Sequence, residues 1–135
     1  MKVRGGIAGY FRYVNNVLAL FRMVKSQDIH TEKRTPTEGF LRGDAIFKDG
    51  SRLHFRELVS TDPSVQLVSY TYQYMRADGT TIFRYDDAGH FPNLPTAPHH
   101  KHIGAADRLA PADQPTLGQV FAEIEPWLTP IDPRV

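Results

Sequence analysis

Two short turns constrain this chain more than anything else in it. Lys48-Asp49-Gly50 separates FLRGDAIF from SRLHFRELV, and Ala77-Asp78-Gly79 separates VQLVSYTYQYMR from TTIFRYD. Each turn is three residues long and ends on glycine, the residue that takes a left-handed backbone without a steric cost, so each predicts a type I turn closed by a bulge and an antiparallel return of the chain. The flanking segments are rich in β-branched and aromatic residues, as strands are. Thr61-Asp62-Pro63-Ser64 supplies a further turn between the two hairpins, and the centre of the chain is therefore expected to be an antiparallel meander.

The ends read differently. Ile7, Tyr10, Phe11, Val14, Val17, Leu18 and Phe21 recur at three- and four-residue spacing, which predicts an amphipathic helix from about Gly6 to Arg22. MVKSQDIHTEKR follows as a weakly patterned first strand that stops at Arg34-Thr35-Pro36. Near the other end, Thr116 and Gln119 form a capping box, Leu117, Val120, Phe121 and Ile124 make an apolar stripe, and Pro126 is expected to close the helix. The chain has 135 residues, enough for one domain with one modest core. The expected fold class is α+β: an antiparallel four- or five-stranded meander sheet with an N-terminal and a C-terminal helix packed on one face, in a single domain over residues 1–135.

If both glycine turns are three-residue loops, the register follows. Asp44 opposes His54, Tyr72 opposes Arg84, and Tyr70 opposes Asp86. Pairing His54 with Tyr72 and Arg56 with Tyr70 then places His54, Arg56, Tyr70, Tyr72, Arg84 and Asp86 on one polar surface. Leu53, Phe55, Val59, Leu67, Phe83 and Tyr85 fall on the opposite face, which is apolar enough to receive the helices.

Composition narrows the function classes. There is no cysteine, which excludes a disulfide framework and a zinc-cysteine site. Net charge is +1, so no basic coat is available for nucleic acid and any contact of that kind is a local patch. Arginine outnumbers lysine about two to one, and arginine suits bidentate phosphate contacts. Arg12 and Arg22 interrupt the N-terminal apolar run, so neither a signal peptide nor a membrane span is expected. The expectation is a soluble cytoplasmic protein.

The densest chemistry lies in FRYDDAGHFPNLPTAPHHKH, residues 83–102, which holds four of the six histidines. From Gly89 to Pro115 the text is proline-rich and aperiodic, so a long functional loop is expected there, folding His90, His99, His100 and His102 over the polar face. Histidine moves protons near neutral pH, arginine stabilises a phosphorane-like anion, and tyrosine stacks bases. That combination points to metal-independent RNA cleavage by a 2′-hydroxyl. The candidate catalytic residues are His99, His100, His102, Arg84 and Asp86, and the candidate substrate contacts are Lys101, Tyr72, Tyr70, His54 and Arg56. No metal or other cofactor belongs to this reading. The alternatives are a metal-dependent nuclease or other hydrolase, in which His100 and His102, two apart on an extended segment, join Asp86, Asp87 and His90 as ligands, and a non-catalytic module that binds protein or nucleic acid.

The same stretch, with GSRLHFRE and YTYQY before it, resembles the TumE family of small toxins from type II toxin-antitoxin modules. The similarity runs from about Gly39 to His102. The family wording is close to FRYDNAPHH followed by TFPHHKH, which matches Phe83, Arg84, Tyr85, Asp86, His90, Pro98, His99, His100, Lys101 and His102. Asp87, Gly89, Phe91 and Ala97 depart from it, and Phe91 stands where the family pattern has a second histidine. The resemblance implies a growth-arresting protein neutralised by a cognate antitoxin, often a helix-turn-helix protein. RNA is the expected substrate, and the bare part of the N-terminal stripe leaves room for a homo-oligomer or for the antitoxin.

Overall fold

The computed structural model describes residues 1–128. Helix α1 spans Gly6–Leu20, and strands β1 (Val24–Lys33), β2 (Glu38–Phe47), β3 (Arg52–Ser60), β4 (Gln66–Met75), β5 (Thr81–Asp86), β6 (His100–Ile103) and β7 (Arg108–Pro111) precede helix α2 at Leu117–Leu128. The strands form one antiparallel sheet in sequential order. Both helices cover the same face. Ile7, Tyr10, Val14 and Leu18 from α1 and Val120, Phe121 and Ile124 from α2 pack with Leu41, Phe47, Leu53 and Phe55 into a single core. Phe21, at the end of α1, stacks on Phe121 of α2 at 4.6 Å.

The α+β architecture, the meander and the one-sided helices agree with the sequence reading, but among the described residues the sheet has seven strands rather than four or five. Both glycine turns form as predicted, with Gly50 and Gly79 each at φ 87°. The capping box also forms: the Thr116 amide donates to Gln119 Oε1 and the Gln119 amide to Thr116 Oγ1. Pro126 does not end α2, which runs on to Leu128 with the proline inside its last turn. Its missing N–H removes one hydrogen bond without stopping the helix.

The two additional strands, β6 and β7, lie inside the segment expected to be a loop. HKHI is only four residues long and sits between prolines, so it offers no apolar alternation to announce a strand. It is nevertheless paired on both sides, with Asp86 opposite His100 and Arg84 opposite His102 on β5.

The register differs at β4. On the β3 side, Leu58 pairs with Ser69 and Val59 with Leu67, leaving Val68 unpaired. On the β5 side, Tyr74 pairs with Phe83 and Met75 with Thr81, leaving Ile82 unpaired. Each extra residue shifts the pairing by one, and a one-residue shift exchanges the faces of a strand. His54 therefore opposes Gln73 rather than Tyr72, and Arg56 opposes Thr71 rather than Tyr70. Tyr70, Tyr72 and Tyr74 turn into the core. The second bulge undoes the first, so Arg84 and Asp86 keep the predicted face. Asp44 opposes His54 as expected.

Candidate functional site

Two cross-strand rows define the polar face. One runs Asp44, His54, Gln73, Arg84, His102, and the other runs Arg42, Arg56, Thr71, Asp86, His100. Adjacent strands lie roughly 4.8 Å apart, so side chains in one row are neighbours. Together they floor an open groove of about 610 Å³ whose lining includes His54, Arg56, Thr71, Gln73, Arg84 and Asp86.

At one end of the groove lies a buried centre. Asp86, His100 and His102 each offer one potential ligand atom, and these three atoms lie within 4.8 Å of one another. Asp86 Oδ2 accepts from Arg84 Nε at 3.0 Å and Oδ1 from the Ala88 amide at 3.1 Å. His100 Nε2 is 2.7 Å from Asp86 Oδ1, and His102 Nε2 is 3.9 Å from Oδ2. The His100 ring is 1% exposed and the His102 ring 7%. Phe91 closes over both, its ring centre 5.0 Å from that of His100 and 5.8 Å from that of His102. Asp86 belongs both to the groove lining and to this centre, and so connects them.

The other end of the groove is more open. His54 Nδ1 lies 3.1 Å from Asp44 Oδ1, and the imidazole is 28% exposed. A partly exposed histidine oriented by a carboxylate is suited to proton transfer. Arg56 is exposed beside it.

Not every predicted residue joins the groove. Tyr72 is fully buried on the helical face, where its hydroxyl donates to Glu57, and it cannot stack a base from there. Tyr70 borders the groove but is only 3% exposed, and its hydroxyl is taken up by His99 Nδ1 at 3.0 Å, with the two rings stacked. His99 is therefore engaged with Tyr70 rather than with Asp86. Lys101 points to the opposite face from its two histidine neighbours, as strand alternation requires, and its Nζ binds Glu123 of α2 at 2.8 Å. Burial alone would lower the Lys101 pKa, but its hydrogen bonds to Glu123 and Tyr85 outweigh it and leave it raised. Lys101 is thus occupied away from any substrate phosphate. His90 is exposed and lies beside Phe91 rather than in the Asp86 centre. Asp87 uses Oδ1 to accept from the Tyr70 amide.

A second buried carboxylate lies on the helical face and is absent from the predicted set. Glu57 is 1% exposed and accepts the hydroxyls of Tyr10 and Tyr72, one on each oxygen. Burial raises its pKa, and the two hydrogen bonds offset only part of the rise. Burial and the neighbouring Glu57 also raise both tyrosines. The signal was present in the sequence, because Glu57 falls between Phe55 and Val59 with the parity of the apolar face. A carboxylate at a core position needs buried donors.

The family model described as Toxin TumE matches residues 14–128. That span contains the whole sheet, α2 and every residue of both the groove and the buried centre. No curated protein and no solved structure gives a significant match. Among the described residues, no helix is long and apolar enough to cross a membrane.

Proposed function

Given that the chain belongs to the TumE toxin family, we propose that it is the toxin of a type II toxin-antitoxin module and arrests growth by cleaving RNA on the polar face of its sheet. A cognate antitoxin is the expected protein partner, as the toxin family implies in general. The observation that carries the RNA reading is the convergence, on one groove, of two arginines, an oriented and accessible histidine, and a buried carboxylate flanked by two further histidines.

Arg56 and Arg84 suit the backbone phosphates, where guanidinium groups bind in a bidentate manner and stabilise the extra charge of a phosphorane. In the reaction, the 2′-oxygen bonds to phosphorus and the bond to the 5′-oxygen breaks. One proton leaves the 2′-oxygen and another is delivered to the 5′-oxygen. Asp86 stands at the groove end of the buried centre and His54 on the other side, so the two transfers are assigned to opposite ends of the groove. His100 and His102 act on the substrate through Asp86, since their own rings are buried.

Induced expression of the intact chain is expected to arrest growth, and purified protein to fragment total RNA. Arg56→Ala and Arg84→Ala should each weaken RNA binding and reduce its salt dependence. A folded chain that leaves RNA uncut, with and without added divalent ions, would overturn the proposal.

A further inference from the structure

Within the Asp86 centre, hydrogen-bond donors and acceptors do not balance. The Pro98 carbonyl lies 2.9 Å from His100 Nδ1, and since a carbonyl only accepts, Nδ1 carries the proton. In the neutral ring, Nε2 then holds a lone pair, yet it sits 2.7 Å from the carboxylate oxygen Asp86 Oδ1. The contact is short but out of line for a hydrogen bond, and Nε2 has no hydrogen-bond partner among the described residues. Two lone pairs held this close in a buried place call for a cation between them.

His102 also has an acceptor on its outer side, but here the outer nitrogen is the one without a hydrogen-bond partner among the described residues. Its Nδ1 is 3.0 Å from Asp107 Oδ1, again without hydrogen-bond alignment, while Nε2 lies on the Asp86 side. Asp107 reaches that position from the β6-β7 turn through a left-handed backbone, φ 57°, which is uncommon for a residue other than glycine. An acceptor behind the outer nitrogen of each imidazole, with the inner nitrogens turned toward a shared carboxylate, is the pattern by which proteins orient histidine ligands on a metal.

We propose that Asp86, His100 and His102 bind one divalent transition-metal ion of the zinc class, through Asp86 Oδ1 and the two Nε2 atoms. Ligands in a tetrahedral zinc site stand about 3.3 Å apart; His100 Nε2 is 2.7 Å from Asp86 Oδ1, and the ligand atoms of all three residues lie within 4.8 Å of one another. Two imidazoles and one carboxylate favour zinc, cobalt, nickel or iron over magnesium or calcium, which prefer all-oxygen sites. Arg84 holds Asp86 Oδ2, while Oδ1 accepts only the Ala88 amide among the described residues and keeps a second lone pair for the ion, and Asp107 adds negative charge behind His102. Three protein ligands leave a position for water, and through Asp86 that position adjoins the groove. A bound ion would lower the pKa of that water, so that the hydroxide left after its proton passes to solvent would take the 2′-hydroxyl proton and become water again, while His54 delivers a proton to the 5′-oxygen. The role in RNA cleavage rests on the function proposed above, whereas metal binding does not.

The test uses the full chain, freed of metal with a chelator and titrated with Zn²⁺, Co²⁺ and Mg²⁺ without RNA. Calorimetry should find one Zn²⁺ per chain, Co²⁺ should develop the visible bands of a low-coordinate nitrogen-oxygen site, and Mg²⁺ should not bind. His102→Ala and Asp86→Asn should each weaken Zn²⁺ binding by about 100-fold or more, and Asp107→Ala by about 10-fold to 100-fold. His90→Ala should leave it unchanged. Asp86→Asn nearly preserves the shape of the side chain and covers the case in which a histidine variant does not fold. A folded wild-type chain that binds no zinc-class ion, or an Asp86→Asn variant with undiminished affinity, would overturn the site. RNA cleavage by chelated, metal-free protein would remove the metal from the mechanism while leaving the ribonuclease standing. Zinc binding without RNA cleavage would do the reverse.

Discussion

Two buried carboxylates lie on opposite faces of the same sheet, and they are treated in opposite ways. Glu57, under the helices, has a tyrosine hydroxyl on each oxygen, and its surroundings are apolar. Asp86, on the groove side, receives an arginine and a backbone amide and still has two imidazole nitrogens crowding it. A polar group whose partners are complete stabilises one conformation and has no capacity left for a ligand. A group whose partners remain unbalanced in a buried place is destabilising for the isolated fold and retains the capacity to bind. The difference assigns Glu57 to architecture and Asp86 to chemistry.

The contrast is open to attack, and the largest effect should come from Glu57→Ala. That change strands the Tyr10 and Tyr72 hydroxyls and opens a cavity, and it should cost about 3–5 kcal/mol in urea unfolding. Asp86→Asn should do the opposite, reducing RNA cleavage by about 100-fold or more while changing stability by no more than about 1 kcal/mol. If instead Asp86→Asn unfolds the chain as severely as Glu57→Ala, the two carboxylates are alike and the division fails.

Smaller changes sharpen the same comparison. Tyr10→Phe and Tyr72→Phe each remove one donor from Glu57, at about 1–3 kcal/mol, and cleavage per folded molecule should stay the same. A matching loss of turnover would place Glu57 in the active machinery after all.

The smallest effect concerns pH. The pKa of Glu57 is raised in the fold, so the native state keeps its proton after the unfolded chain has lost it at about pH 4.3. Its contribution to stability is therefore complete below that pH. It is lost as pH climbs toward the raised native value, at no more than about 1.4 kcal/mol per unit. Glu57→Gln cannot ionise. The stability difference between the wild type and this variant should shift in the variant's favour through that window and then level off. Parallel curves would show that burial of Glu57 carries no such cost.

Much of this arrangement was legible in the sequence, and the exceptions have physical causes. Glycine at the end of each three-residue loop announced both hairpins, because only a left-handed residue fits there, and the Thr116-Gln119 box located the start of α2. The faces of β3 and β5 followed from those turns. The face of β4 did not, since Val68 and Ile82 look like ordinary strand residues and nothing local marks them as unpaired. Tyr70 and Tyr72 were consequently placed on the wrong side. The conversion of PHHKH from loop to strand was hidden because β6 is short and polar, and its pairing depends on β5 and β7 rather than on its own residues. Arg84, Asp86, His54 and Arg56 reached the groove as expected. Phe91 and Asp107, which shield and back the histidines, had no sequence signal beyond their nearness to them.

Strand β6 also joins the two faces mechanically. Alternation sends His100 and His102 to the polar face and Lys101 to Glu123 on α2, so three consecutive residues fasten the histidine pair to the helical layer with no hinge between them. A force on α2, from a partner or from truncation of the helix, is delivered one residue away from each histidine. The helix that completes the core is thus a handle on the chemistry beneath the sheet.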